Sequence, residues 1–385
     1  MIAWRVPLFE ARFDADDEDA VLRPLRTGWL TMGEEVLRLE EELCAATGAK
    51  YAIAVSNCSV AIHLACAALG IGAGDEVLCP TLTFVASANA PKSLGARIRL
   101  CESVDVDDLT VDPASLEANL SPLTKAMIVV HYAGFPCRMQ EIIELAHARG
   151  IAIIEDCAHA LFSRSNGQTL GLLGRIGCFS FFSNKNVTCG EGGALITNDS
   201  ALANECRLLR SHGMTTMTLD RHNGRAFSYD VLCPGFNYRM DEMRAALLRS
   251  QLRKLPGFLE RRRKVYGHYV RSLEGTSVHM PFRGPRFRAD FENLAIHILP
   301  VLLPNNVDRN AIMASMKEAG IQTSIHYPPV HTFTAYREQA HDLSRTEALS
   351  KRELTLPFYP HMDEECVHFV VKTLLKSISR VQVST

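Results

Sequence analysis

From about residue 35 to residue 200 the chain alternates short, wholly apolar runs with longer amphipathic ones, and this pattern limits the fold more than any other feature. Tyr51–Ser56 (YAIAVS), Glu76–Cys79 (EVLC), Ala126–His131 (AMIVVH) and Ile151–Ile154 (IAII) read as strands without polar alternation. Such strands are covered on both faces, as happens when helices pack on either side of a parallel sheet. The intervening runs supply those helices. Glu35–Thr47 sets Val36, Leu37, Leu39 and Leu43 at helical spacing and closes on Gly48, Val60–Leu69 closes on Gly70, and Met139–Ala148 runs out at Gly150. Cys178–Phe182 and Gly193–Thr197 are further strands, and Met240–Leu273 is a long helical stretch interrupted at Pro256. After it the order changes to strand-like Leu294–Leu303, a helix Arg309–Gly320, strand-like Ile321–Tyr327 and a closing helix Asp363–Ile378. The expectation is an α/β fold: a large domain over residues 1–254 on a mainly parallel sheet, and a small α+β domain over residues 255–385.

Composition removes several function classes. With 47% hydrophobic and 22% charged residues the chain has the profile of a globular protein, and its net charge of −2 offers no footprint for nucleic acid. No apolar stretch approaches the roughly 20 residues of a membrane span. The opening MIAWRVPLFEARFDADDEDA carries a run of acids in place of an apolar segment, so no secretory signal is expected there. The twelve cysteines are scattered with no C-x-x-C pair, which reads as reduced thiols in a cytoplasmic protein. The fourteen histidines include no HExxH and no metal-like spacing with the cysteines, so no metal is expected. Gly70, Gly72 and Gly74 follow a helix and precede a strand, the reverse of a dinucleotide fingerprint, and there is no P-loop.

In open parallel sheets, ligands bind outside the carboxyl ends of the strands, and polar residues gather at those ends here. Asp156 directly follows the strand IAII-Glu155. A carboxylate there is a helix N-cap, a metal ligand or the partner of a cation, such as the protonated nitrogen of a pyridine ring used as an electron sink. Lys185, in Ser183-Asn184-Lys185-Asn186, lies between the strand CFSFF and a glycine-rich stretch from Cys189 to Gly193. It is either a surface lysine or a Schiff-base lysine, which needs a lowered pKa to act as a nucleophile and proton carrier. Ser56-Asn57-Cys58-Ser59 joins a strand to a helix, where free N–H groups both accept ordinary caps and form a phosphate cradle. Ser180 is a further phosphate ligand candidate, and Phe84 is either core or a stacking partner for a flat ring.

Several longer motifs then occur in a fixed order: Gly74-Asp-Glu-Val77, Pro80-Thr-Leu-Thr-Phe-Val-Ala-Ser-Ala-Asn-Ala90, Ile154-Glu-Asp-Cys-Ala-His-Ala160, Cys178-Phe-Ser-Phe-Phe-Ser-Asn-Lys-Asn186, Gly190-Glu-Gly-Gly-Ala194, Gly235-Phe-Asn-Tyr-Arg-Met240 and Gly320-Ile-Gln-Thr-Ser-Ile-His-Tyr-Pro-Pro329. In these the chain resembles, over nearly its whole length, the DegT family of sugar aminotransferases that depend on pyridoxal 5′-phosphate (PLP) and have the aspartate aminotransferase fold, type I. The resemblance implies that Lys185 holds PLP as a Schiff base, that Asp156 pairs with its ring nitrogen, and that His159 lies near its phenolic oxygen. It places Phe84 over the ring, and Cys58, Ser59 and Ser180 at the phosphate. Asn237 matches an asparagine that reaches the phosphate across a subunit interface, which implies a homodimer with shared sites. His326 and Tyr327 fall at the mouth of the site, on the substrate side. The usual Ser-Gly-Thr-Ala cradle appears here as Ser56-Asn57-Cys58-Ser59, so a thiol replaces a threonine hydroxyl.

The segment from Met214 to Tyr229, with Arg221, His222 and Arg225, is either a substrate-contacting insertion or a solvated loop. The implied reaction moves an amino group from glutamate or glutamine to a keto-sugar, nucleotide-linked. A keto-cyclitol acceptor is the alternative within the same chemistry. A PLP-dependent sugar dehydratase would carry histidine at the position of Lys185, and a non-enzymatic regulator would lack one of Lys185 and Asp156.

Overall fold

The computed structural model describes residues 4–383 apart from 217, 223, 225, 340 and 341. Its strands are β1 (Tyr51–Val55), β2 (Glu76–Pro80), β3 (Arg97–Cys101), β4 (Thr124–Val130), β5 (Ala152–Asp156), the short hairpin β6 (Arg164–Ser165) and β7 (Gln168–Thr169), β8 (Ile176–Ser180), β9 (Gly193–Thr197), β10 (Leu299–Leu302) and β11 (Glu353–Leu356). Seven of them form one sheet in the order β1-β9-β8-β5-β4-β2-β3. β9 runs antiparallel to both neighbours and the other pairings are parallel, so the sheet is mainly parallel as expected. Ile53, Val77, Ile128, Ile154 and Ile176 are fully buried on one side, under the helices Cys58–Ala68 and Ala86–Ser93. Ala54, Phe179 and Ile196 face the opposite layer with Leu39, Leu43 and Leu248, from the helices Glu34–Thr47 and Glu242–Leu273.

β3 has no counterpart among the sequence-derived strands. It is an edge strand whose Ile98 and Leu100 are buried between exposed Arg97 and Arg99, so it alternates where the central strands do not. At the other edge, β1 has its free backbone capped by side chains. Glu40 accepts the Ala54 N–H at 2.9 Å, and Arg210 donates to the Ala54 carbonyl at 2.8 Å and to Glu40 at 2.6 Å. A buried ion pair thus closes an edge that would otherwise be open for pairing.

Pro256 does not interrupt the long helix, which is continuous from Glu242 to Leu273. The proline lies on its exposed face, where water can solvate the carbonyl it leaves unpaired, while Leu255 and Phe258 are buried beside it. Leu248, Leu255 and Phe258 belong to the core under the large sheet, whereas Val265, Tyr266, Tyr269 and Leu273 belong to the core of the C-terminal part. A division near residue 254 therefore falls inside one helix. The C-terminal part is built on the antiparallel pair β10–β11, packed by the helices Arg309–Glu318 and Glu364–Val383. Only Leu299–Leu302 of the strand-like 294–303 run is a strand, and 321–327 makes two isolated bridges, Val6 to Ile321 and Ser324 to Thr355. The N-terminal residues join this part too: Val6 donates to the Gly320 carbonyl and Gln322 donates back to Val6.

Close packing behind the sheet tests this architecture. A Cβ at Gly177 in β8 would stand 2.3 Å from Gly171 Cα and 2.6 Å from its carbonyl oxygen, both backbone atoms. Gly177→Ala should cost about 1–3 kcal/mol of stability. It would be read as a lower urea midpoint with an unchanged slope.

Candidate active site

The carboxyl ends of β1, β2, β5 and β8 come together at one edge of the sheet, and antiparallel β9 begins there. A cavity of about 510 Å³ lies against that edge, within the range of small-molecule sites. Asp156, Lys185, Ser180, Cys58 and Ser59 line it, as do Phe84, His159, His326 and Tyr327. No arginine lines it among the described residues.

Asp156 ends β5 and is only 5% exposed. Its Oδ2 accepts the Ser87 hydroxyl at 2.7 Å and its Oδ1 accepts the Ala158 N–H at 3.0 Å. Ser87 Oγ lies 3.1 Å from Thr83 Oγ1, so a hydroxyl relay supports the carboxylate. Burial raises the Asp156 pKa, and the two hydrogen bonds and the charge of Lys185 oppose that rise. Behind it, Glu155 is fully buried and accepts the N–H groups of Gly171, Leu173 and Gly174 as well as His131 Nε2 at 2.9 Å. His131 Nδ1 accepts the Cys137 N–H, which leaves the ring proton on Nε2 for Glu155. His131, Glu155 and Cys157 lie close enough to suggest a metal site. The carboxylate is already engaged by four N–H donors, and burial holds the Cys157 thiol at about 12, so the cluster is a brace for β5.

Lys185 stands in the turn after β8. Burial lowers its pKa to about 8, against Cys58 and Asp156, which act in the opposite direction. Cys58 is itself a neutral thiol, since burial pushes it well above the usual range, so near neutral pH the opposing pull comes from Asp156. Lys185 Nζ lies 3.3 Å from Nε2 of the buried His297, which belongs to none of the motifs named above.

At the far wall, the 11-residue helix from Cys58 begins on Asn57, whose side chain caps the Val60 N–H at 3.0 Å. The N–H groups of Cys58 and Ser59 have no acceptor within the helix and make an anion-binding end. Gly193, the first residue of β9, presses against this turn: a Cβ there would lie 2.4 Å from the Asn57 carbonyl carbon and 2.7 Å from the Cys58 nitrogen. Glycine is what lets the cradle sit so close to the sheet. Ser180, at the end of β8, is buried beside it.

His159 Nδ1 accepts the Ala133 N–H at 3.2 Å, so its ring proton is on Nε2, 3.0 Å from Tyr327 Oη. Burial, with the nearby charge of Lys185, holds its pKa well below the usual histidine value. His326 is buried, and its Nδ1 lies 2.8 Å from the Thr355 hydroxyl, which gives its own proton to Glu353 at 2.6 Å. Burial brings His326 down to about 3, leaving it neutral. Phe84 is 55% exposed, with its ring centroid 5.8 Å from that of Tyr327.

Two predicted residues stay apart from this constellation. Asn237 is exposed, opposite Ser211 in an isolated bridge, and does not line the cavity of its own chain. Arg221 lies in the short helix Thr218–His222 with its guanidinium 4.6 Å above the Tyr229 ring, also away from the cavity. Arg225 falls outside the described residues. The donor set around the cavity fits PLP: a buried carboxylate for a cationic ring nitrogen, an amine of lowered pKa, and an open helix end for a phosphate.

The comparisons agree with that fit. Residues 12–375 match the DegT/DnrJ/EryC1/StrS aminotransferase family. The chain superposes on the PMP form of the putative sugar aminotransferase Spr1654 of Streptococcus pneumoniae with a TM-score of 0.90, at 25% identity over 98% of this chain and 100% of that one. Helicobacter pylori PseC, an aminotransferase involved in the biosynthesis of pseudoaminic acid, aligns with a TM-score of 0.89 at 26% identity over 97% and 99% of the two chains. S. venezuelae DesV, solved in complex with a ketimine intermediate, aligns with a TM-score of 0.86 at 32% identity over 95% of each. The chain belongs to the DegT/DnrJ/EryC1/StrS aminotransferase family and is a PLP-dependent aminotransferase.

Proposed function

We propose that this enzyme moves an amino group from glutamate or glutamine onto a keto-sugar carried on a nucleotide. The observation that carries this reading is that the Lys185 amine and the Asp156 carboxylate line one cavity, beside an open helix N-terminus. The acceptor class is supported by Spr1654 and PseC, whose names or roles are those of sugar-pathway aminotransferases.

When bound, PLP supplies an electron sink that takes up the electron pair left on a substrate carbon as its proton departs. The protein's residues divide the remaining work. Asp156 offers its carboxylate to the ring nitrogen and keeps that nitrogen protonated. Lys185 Nζ is the point of covalent attachment, and with a pKa of about 8 it exists as both amine and ammonium near neutral pH, as a proton carrier requires. The N–H groups of Cys58 and Ser59, with Ser180, hold the phosphate. His159 is neutral and its one ring proton faces Tyr327, so the Tyr327 hydroxyl hydrogen is free for an acceptor in the cavity. Phe84 covers the ring from the open side. His326 and Tyr327 face the substrate, and the twelve free cysteines accord with a cytoplasmic setting.

Asn237 completes the phosphate site of a second copy in this reading, and the enzyme is a homodimer. Asn237 is exposed and does not line its own cavity, and Phe227, Tyr229, Val231 and Leu232, earlier in the same stretch of chain, are at least half exposed, an apolar stretch suited to a subunit interface.

Three outcomes follow. Glutamate or glutamine should convert the loaded enzyme from its yellow form to the colourless amine form of the cofactor, and a nucleotide-linked keto-sugar should restore the colour; discharge only by other amino acids would remove the donor assignment. On the chain freed of cofactor, Lys185 should be acylated with a midpoint near pH 8, reactive above it and protected below, while exposed lysines follow midpoints near 10.4. Mixed with subunit exchange, inactive Lys185→Ala and Asn237→Asp chains should regain about a quarter of wild-type activity, because half the dimers are hybrids with one intact site; no recovery in proven hybrids would exclude a shared site.

A further inference from the structure

Asn186 follows the lysine and is buried. Its Nδ2 donates to the Ala295 carbonyl at 3.1 Å, and a carbonyl can only accept, so the amide orientation is fixed. Its Oδ1 therefore faces His297 Nδ1, at 3.3 Å. An oxygen there requires the ring proton on Nδ1, and a neutral imidazole then carries a lone pair on Nε2. That lone pair faces Lys185 Nζ at 3.3 Å. The backbone that carries the ring is held in place, because the His297 main-chain N–H donates to the Ala133 carbonyl at 2.9 Å and its main-chain carbonyl accepts from Arg262 at 3.0 Å. The charged or titratable groups that face the pair are Asp156 at the end of β5, Cys58 at the start of its helix, the rings of His159 and His326, and the buried Arg262 guanidinium.

We propose that His297 is a positioning residue for Lys185, its Nε2 accepting a hydrogen bond from the lysine ammonium and holding it at the cavity wall between two proton transfers. The inference rests on the reading of Lys185 as the proton carrier. In the first transfer a substrate C–H bond breaks and an N–H bond of Lys185 forms; in the second that N–H breaks and a C–H forms at the accepting carbon. No net proton is gained. His297 remains neutral throughout and serves as a fixed acceptor, with Asn186 setting its tautomer.

The test uses the full-length chain freed of cofactor and reads the pH dependence of Lys185 acylation by acetic anhydride, mapped by peptide mass spectrometry. A neutral acceptor stabilises the ammonium more than the amine, so His297→Leu should lower the midpoint by about one unit. His297→Gln, whose amide oxygen restores an acceptor, should bring it back close to the wild-type value. A midpoint unmoved in His297→Leu, or lowered equally in both variants, would overturn the proposal. Borohydride reduction of the PLP-loaded wild type separates this result from the underlying reading: cofactor fixed to a lysine other than Lys185 defeats both, whereas cofactor on Lys185 with an unmoved midpoint defeats only the role of His297. If His297→Leu does not fold, ¹⁵N-histidine NMR of the wild-type chain decides the matter. A proton on His297 Nδ1 supports the proposal, and one on Nε2 overturns it.

Discussion

Asp156 is a carboxylate held at the centre of a sheet edge with almost no access to water, and the site is organised around relieving that desolvation. Burying an isolated carboxylate is costly unless it is paired and hydrogen-bonded. Ser87 and Ala158 supply two hydrogen bonds, one to each oxygen, and the remaining capacity of the carboxylate faces a cavity. Lys185 is desolvated in the same chamber, so acid and amine each offset part of the other's cost. A cationic ring nitrogen and an attached amine satisfy both groups at once. The Glu155–His131 brace and the flanking parallel strands β4 and β8 keep β5 in register, so Asp156 is presented at a fixed point.

Much of this was legible in the chain. β1, β2, β4 and β5 announce themselves because central strands of a covered sheet need apolar residues on both faces, and their carboxyl ends direct attention to Asp156 and to the Ser56–Ser59 turn. β3 escaped for the converse reason, since its alternating Arg97-Ile98-Arg99-Leu100 lacks the continuous apolar run that marked its neighbours. Local propensity, about 3 kcal/mol against proline in a helix interior, marks Pro256 as a break, but burial of Leu255 and Phe258 on either side prevails. Ser87 and His297 carry no local mark. Each acts through a side-chain contact with a partner 69 or 112 positions away, and such convergence is a property of the folded chain.

The substrate side is less determined by the chain's own residues. The cavity lining offers hydroxyl, imidazole and phenol groups beside Glu191, but no arginine among the described residues. Recognition of a donor carboxylate or a sugar-linked phosphate therefore calls on groups beyond this lining. In the dimer proposed above a second copy would be one source, and Asn237 is exposed and absent from the lining of its own cavity. Within a fold that hosts many acceptors, the cofactor chemistry lies in the strand ends and the specificity in the surrounding loops.

The pairing of Asp156 with the ring nitrogen of PLP is the claim on which the account stands. It is tested most directly by ¹⁵N NMR of the enzyme loaded with PLP labelled at that nitrogen, in the wild type and in Asp156→Asn. The account predicts a protonated ring nitrogen in the wild type, with the shift moving to that of the unprotonated ring in the variant. An unprotonated nitrogen in the wild type, or one indifferent to the substitution, would contradict it.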